Sequence, residues 1–189
     1  MKKLLLYIGS FMALMSLASV SVSCNDDNKN TWDDYEKWRN ANTSYYDEQK
    51  YSFDENGNPE YLTVVAPWNP GAEVLIKYLN DRSKTEGNLT PLLTSTVDVK
   101  YRGSLYNGVA FDSSYLRTSP ADSIFRTVLS ATIEGWWIAL TDMRVGDSAK
   151  VIIPYNVGYG SSITASIPPF STLVFDVKLV DIPYYEIPN

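Results

Sequence analysis

Histidine is absent from this chain of 189 residues, and Cys24 is its only thiol. The missing imidazole removes the commonest general base and a principal metal ligand, so Ser-His-Asp hydrolysis and histidine-based zinc or iron chemistry are excluded at the outset. A single cysteine also excludes an intramolecular disulfide, and the fold must hold by packing alone. What the chain has in quantity is aromatic surface, with 14 Tyr, 6 Phe and 5 Trp. Side chains of this size must supply much of a core or line a concave surface within it. The balance of 16 basic against 22 acidic residues gives a net charge of -6 and a pI near 4.6. No cluster of Lys or Arg rises above scattered positions, which argues against nucleic acid as a partner.

The position of Cys24 carries more information than its chemistry alone. Lys2 and Lys3 open a segment that is apolar from Leu4 to Leu17 apart from Gly9, Ser10 and Ser16, and small residues Ser19, Ser21 and Ser23 lead to the cysteine. Residues 1–23 resemble a bacterial lipoprotein signal, in which the cysteine is acylated and becomes the first mature residue. A true N-terminal membrane anchor is the alternative, since a run of this length nearly spans a bilayer. Both readings export the domain and tie it to a membrane, and the first implies a lipid anchor in the cell envelope, facing the periplasm or the surface. Loss of Lys2 and Lys3 from the 16 basic residues would leave 14 against 22 acids, a mature charge of -8. Residues 24–30, rich in Asn and Asp, look like the acidic segment that directs some bacterial lipoproteins to the cell surface, or form a plain polar tether.

With 44% of residues hydrophobic and 20% charged, the chain has material for one core with appendages. Residues 31–59 read as a helical extension. Thr31 with Asp34 suggests a capping box, Gly and Pro are avoided up to about Gln49, and Trp32, Tyr35, Trp38, Tyr45 and Tyr46 fall partly at helical spacing. One side of this helix could lie on the main domain or on a partner. Turn chemistry at Asn56, Gly57, Asn58 and Pro59 ends it, and the period then changes to two. Strands are expected over Tyr61–Val65 and Val74–Leu79 with a loop between them, and a polar loop over Asp81–Thr90. Val97, Val99, Tyr101, Gly103 and Leu105 alternate with Asp98, Lys100, Arg102 and Ser104, as a half-buried strand does. Asn107-Gly108 favours a tight hairpin returning through Val109–Phe111. Further strands are expected at Ile124–Leu129, Ser148–Ile153 and Leu173–Val180. Gly135–Met143 is the helical candidate of the domain, with Trp136, Ala139, Leu140 and Met143 on one side. The class is α+β, a curved antiparallel sheet wrapped around one short helix.

Four separated blocks then occur in a recognisable order: VDVKYRGSLYNGVAFDSSY, IEGWWIALTDMRVGDSAKVIIP, GYG, and IPPFSTLVFDVKLVDI. Across residues 92–182 they resemble the FKBP-type peptidyl-prolyl cis/trans isomerases. The resemblance implies an FKBP-like domain, taken as residues 60–183, with an apolar pocket between sheet and helix. It also implies rotation about X-Pro bonds in exported polypeptide clients, with no metal or cofactor. Carried over by position, Tyr101, Asp112, Trp136 and Tyr159 would be the catalytic set. Trp136 would floor the pocket beneath the proline ring, and the Tyr159 hydroxyl would bind a substrate carbonyl. Asp112 would face the twisting amide or hold Tyr101. A bland role for Asp112, accepting backbone N–H groups in a turn, is the alternative. Phe111, Phe125, Ile133, Ile167 and Phe175 would bind substrate, with the Ile133 N–H open to a carbonyl and Ile167 completing the wall.

The chain also departs from the family pattern. Two residues are missing between the Phe125 strand and Ile133, Thr127 stands where an aromatic is common, Trp137, Ile163 and Thr164 are atypical, and the loop Ser161–Ser166 is slightly short. These departures bear on substrate preference, rate and binding of the family's macrolide inhibitors rather than on fold. A competing reading is a binding or chaperone module that uses the same groove with little or no turnover. The reading of Cys24 makes its own prediction. Expressed with its signal in a bacterial host, the full chain should incorporate radiolabelled palmitate and partition with membranes, and Cys24→Ser should do neither.

Overall fold

The computed structural model describes residues 31–185, so the signal-like segment, Cys24 and the tether lie outside the described residues. Helix α1 spans Thr31–Asp34 and α2 spans Glu36–Lys50. The expected single helix is therefore broken at Tyr35, whose side chain makes no capping bond. The strands are β1 (Leu62–Ala66), β2 (Asn69–Tyr78), β3 (Thr96–Leu105), β4 (Ala110–Ser113), β5 (Phe125–Val128), β6 (Ser148–Ile153) and β7 (Leu173–Asp181). Helix α3 spans Glu134–Asp142. The expected polar loop at 81–90 contains a 3-10 turn, Arg82–Thr85, capped by the Asp81 carboxylate on the Ser83 N–H.

All strands join one antiparallel sheet in the order β1-β2-β6-β7-β3-β4. Strand β3 is shared at its free edge, pairing through Thr96–Val99 with β5 and through its other half with β4. The loop expected before β2 is much shorter than its Pro, Asn and Gly content suggested. Val65 opposes Glu73 while Ala66 opposes Asn69, so residues 70–72 bulge from the ladder. A bulge at the edge of a sheet is where Pro70 costs no ladder hydrogen bond. At the β3–β4 hairpin, Gly108 takes the left-handed conformation (φ 84°) that the turn requires.

Burial explains which runs alternate and which do not. On β7, Leu173, Phe175, Val177 and Leu179 are buried against exposed Asp176 and Lys178. On β2 and β6, Val74-Leu75-Ile76 and Val151-Ile152-Ile153 are buried as continuous runs. The reason is a second cover on the sheet. Val74, Ile76, Val151 and Ile153 face the main core with α3, whereas Leu75 and Ile152 pack behind the sheet with Tyr46 and Tyr61. Helix α2 thus closes the back of the sheet, and its aromatic side lies on its own domain. Asp98 breaks the polar face of β3 by being buried, and the Arg126 guanidinium of β5 meets it with two parallel hydrogen bonds of 2.6 Å.

Helix α3 sits close to the sheet because Gly135 has no side chain: a Cβ there would overlap Ile153 Cγ2. Gly135→Ala should therefore destabilise the protein by about 1–3 kcal/mol in urea denaturation, despite Ala's better helix propensity. Ile153→Ala in the same chain should recover part of that loss, giving a non-additive double-mutant cycle.

Candidate functional site

Where the first turn of α3 meets the concave face of β3 and β7, a set of aromatic rings closes edge to face. Trp136 on α3 lies 5.2 Å from Tyr101 of β3 and 5.4 Å from Phe175 of β7, with interplanar angles of 87° and 83°. Phe125 of β5 completes the group at 5.7 Å from Tyr101 and 6.3 Å from Trp136, and Phe111 of β4 stands 5.5 Å from Phe175. Each such pair is worth roughly 0.5–1.5 kcal/mol beyond its buried area, so the rings hold one another in place. Gly103 makes room for two of them, since a Cβ there would come within 2.6 Å of Phe111 and 2.8 Å of Phe175.

These rings do not fill the space between them. They surround an open cavity of about 180 Å³ whose floor includes Trp136, 6% exposed, and whose mouth carries Tyr159, 40% exposed. Polar groups are few and convergent. The Tyr101 hydroxyl donates a short hydrogen bond to Asp112 Oδ2, while Asp112 Oδ1 accepts from the Ser113 N–H at 2.7 Å. Of the three roles considered for Asp112, the geometry shows two: it holds Tyr101 and it serves the turn after β4. Ile133 is the N-cap of α3, at the end of the helix where N–H groups lack partners within the helix.

Burial first, then the hydrogen bond and charge of Asp112, push the Tyr101 phenol up to about 12, with Arg117 acting in the opposite direction. The Tyr159 phenol is also raised, by burial and then by the charge of Asp112. Both hydroxyls thus keep their protons at neutral pH, that of Tyr101 donating to Asp112 and that of Tyr159 able to donate to a ligand. The site contains no nucleophile beside a base, and among the described residues no group of Cys, Asp and Glu has the geometry of a metal site. What it can do is bind a ring-sized apolar group on Trp136, out of water, and offer hydrogen bonds at the rim.

Of the nine pocket residues expected from sequence, eight line the cavity: Tyr101, Phe111, Asp112, Phe125, Ile133, Trp136, Tyr159 and Phe175. Ile167 does not. Its N–H donates to Thr164 Oγ1 at 2.9 Å and its carbonyl accepts from the Thr164 N–H, a tight turn in the short loop that leaves the side chain 4% exposed within the core. Ala131 and Thr132 line the cavity without having been expected, brought there by the 3-10 turn Leu129–Ala131 that links β5 to α3. Arg117 was also missed, with its guanidinium 4.7 Å from the Phe125 ring. The segment around Arg117 has no periodicity, and the only signal was a cation five residues after Asp112 in an acidic chain.

Comparison with known proteins bears on the family and the fold. Residues 87–180 match the family model described as FKBP-type peptidyl-prolyl cis-trans isomerase. The chain is 40% identical over 125 residues to the FKBP-type 22 kDa peptidyl-prolyl cis-trans isomerase of Escherichia coli, covering 57% of this chain and 59% of that protein. It is 42% identical over 92 residues to FkpA of the same organism, covering 49% and 33%. Among solved structures, FkpA from Escherichia coli aligns with a TM-score of 0.63 at 25% identity over 80% of this chain and 62% of that one. A peptidyl-prolyl cis-trans isomerase from Pseudomonas syringae aligns with a TM-score of 0.58 at 25% identity, over 78% and 94%. The chain therefore spans between one third and three fifths of these two curated relatives.

The raised phenol of Tyr101 predicts a pH effect on stability. Up to pH 10 the phenol is protonated in both folded and unfolded chains. Above that the unfolded phenol ionises while the folded one resists to about 12, so its contribution is lost as pH rises through this window. The difference in unfolding free energy between wild type and Tyr101→Phe should be constant below pH 10 and shift against the wild type between pH 10 and 12. Urea titrations at pH 8, 10 and 11 would check this, and a pH-independent difference would contradict it.

Proposed function

The chain carries an FKBP-type peptidyl-prolyl cis-trans isomerase domain over residues 87–180, and from that premise we propose that it accelerates rotation about X-Pro bonds in polypeptide clients, using the aromatic cavity as its whole active site. The observation that carries this reading is the arrangement of Trp136 in an open aromatic cavity, with the Tyr101 hydroxyl held by Asp112 in its wall and the half-exposed Tyr159 hydroxyl at its edge.

The reaction asks little of covalent chemistry. The planar X-Pro amide must pass through a twisted state in which resonance is lost, against a barrier of about 18–20 kcal/mol for a peptide bond. A catalyst works by binding the twisted amide better than the planar one. Removing water over Trp136 disfavours the more polar planar form, and the apolar walls hold the proline ring while the rest of the bond rotates. The Tyr159 hydroxyl and the N-terminal end of α3 at Ile133 offer donors to the carbonyls on either side of the bond. Asp112 contributes by holding the Tyr101 ring and keeping its hydroxyl occupied. No proton is removed and no intermediate forms, which suits a pocket without a free base beside a nucleophile.

The family binds proline-containing substrates and macrolides. For this chain the same cavity supports binding of both classes, with the short loop and inward-turned Ile167 narrowing the choice of macrolide. Export and lipid attachment at Cys24 belong to the same proposal, and their support is the order of charged, apolar and small residues before that cysteine. Together they describe an envelope-tethered folding assistant for exported proteins.

A protease-free assay of a short X-Pro peptide tests the catalytic reading. The wild type should accelerate interconversion, and Trp136→Ala and Asp112→Val should each lower kcat/KM by about tenfold or more, equivalent to roughly 1.4 kcal/mol of transition-state stabilisation. Tyr159→Phe should lose less, about threefold to tenfold, and leave stability close to wild type because the side chain is half exposed. A folded wild type that fails to accelerate peptides with several different residues before proline would overturn the proposal and favour a binding module.

A further inference from the structure

The loop that carries Tyr159 is closed at its base by its own backbone and braced from outside the isomerase domain. Phe170 donates its N–H to the Gly160 carbonyl at 2.8 Å, and Gly160 in turn donates to the Tyr155 carbonyl, so the two ends of the loop are joined one residue beyond Tyr159. Phe170 takes a left-handed backbone conformation (φ 60°) although it is a bulky aromatic residue and buried. Such a conformation costs about 1–3 kcal/mol and persists only when the surroundings over-determine it.

Part of those surroundings is the N-terminal helices. The Trp32 ring meets Phe170 edge to face at 5.3 Å, and the Arg39 guanidinium lies 3.5 Å from the Trp32 ring centroid and 5.6 Å from that of Phe170. Trp38 Nε1 donates to Ser171 Oγ at 3.1 Å. Asn42, fully buried, accepts the Thr172 N–H on Oδ1 at 2.6 Å, and its carbonyl accepts the Thr172 hydroxyl at 3.1 Å. Three consecutive residues of the returning loop are thus held by one side of the helical extension, and the third leads directly into β7.

We propose that α1 and α2 act as a clamp on this loop, with Trp32, Arg39 and Asn42 as positioning residues that set the height of Tyr159 over the cavity and thereby the affinity for prolyl peptides. The inference rests on the catalytic reading of the pocket. Nothing in the helices touches the cavity itself, so their effect passes through Phe170 and the Gly160 bond to Tyr159. The extension is then part of the enzyme rather than a spacer between anchor and domain.

The test compares Trp32→Ala and Asn42→Ala in the full chain, each alone and with Tyr159→Phe. Trp32 is about half exposed, so its variant should fold even where loss of buried Asn42 does not. Each clamp variant should lower kcat/KM by about threefold to tenfold, chiefly through a higher KM, and the effect should shrink below about twofold in the Tyr159→Phe background. Amide hydrogen exchange should rise selectively at Gly160 and Phe170, a readout that holds whether or not the protein proves catalytic. Wild-type exchange at these two amides in a folded Trp32→Ala chain would overturn the clamp. So would an undiminished loss of kcat/KM in the Tyr159→Phe background.

Discussion

The contact between Trp136 and the rings of Tyr101 and Phe175 governs both the fold and the site. Trp136 belongs to the first half of α3, and it reaches the sheet only because Gly135 lets the helix approach Ile153 and because Gly103 leaves space for Phe111 and Phe175 over β3. The same contact that docks the helix therefore also builds the cavity floor. Core packing and pocket wall are one set of side chains here, since Tyr101, Trp136 and Phe175 all lie within the main core cluster while their remaining surface faces the cavity. A substitution at this junction acts on stability and on ligand binding together, and separating the two requires residues at the rim, such as Tyr159.

Around that junction the polar groups are placed to keep the rings still rather than to perform acid–base chemistry. Asp112 spends one oxygen on the Tyr101 hydroxyl and the other on the Ser113 backbone. Arg126 pairs with buried Asp98 between β5 and β3, fixing the strand that carries Phe125. Asp147, wholly buried, accepts from Thr85, Asn80 and the Arg144 N–H where α3 turns into β6. Burial alone would raise its carboxyl, but these hydrogen bonds outweigh it and hold the pKa below the ordinary carboxylate value. Rigid walls suit a catalyst that must bind one geometry of an amide more tightly than another.

Much of this was legible in the residues. The alternation of β3 and β7, the Asn107-Gly108 hairpin and the spacing of Trp136, Ala139, Leu140 and Met143 each obeys a local period or turn rule, and each element formed close to its expected bounds. The order of four motif blocks located eight of nine expected pocket residues. What failed to show in the sequence depended on contacts between distant segments. The buried runs of β2 and β6 do not say what covers their second face, which is Tyr46 and Tyr61. Pro70 and Gly71 read as loop because a bulge is invisible without its partner strand. Ile167 is drawn inward by a hydrogen-bonded turn with Thr164, and Arg117 reaches Phe125 from an aperiodic segment.

The most direct measurement is exchange NMR of an Ala-Pro peptide at equilibrium with a small amount of the chain. Catalysis at the Trp136 pocket predicts that cis and trans resonances interconvert far faster than the uncatalysed tens to hundreds of seconds, with the cis fraction unchanged. Resonances that broaden on binding while interconversion stays at its uncatalysed rate would contradict the account and leave the pocket a binding site alone.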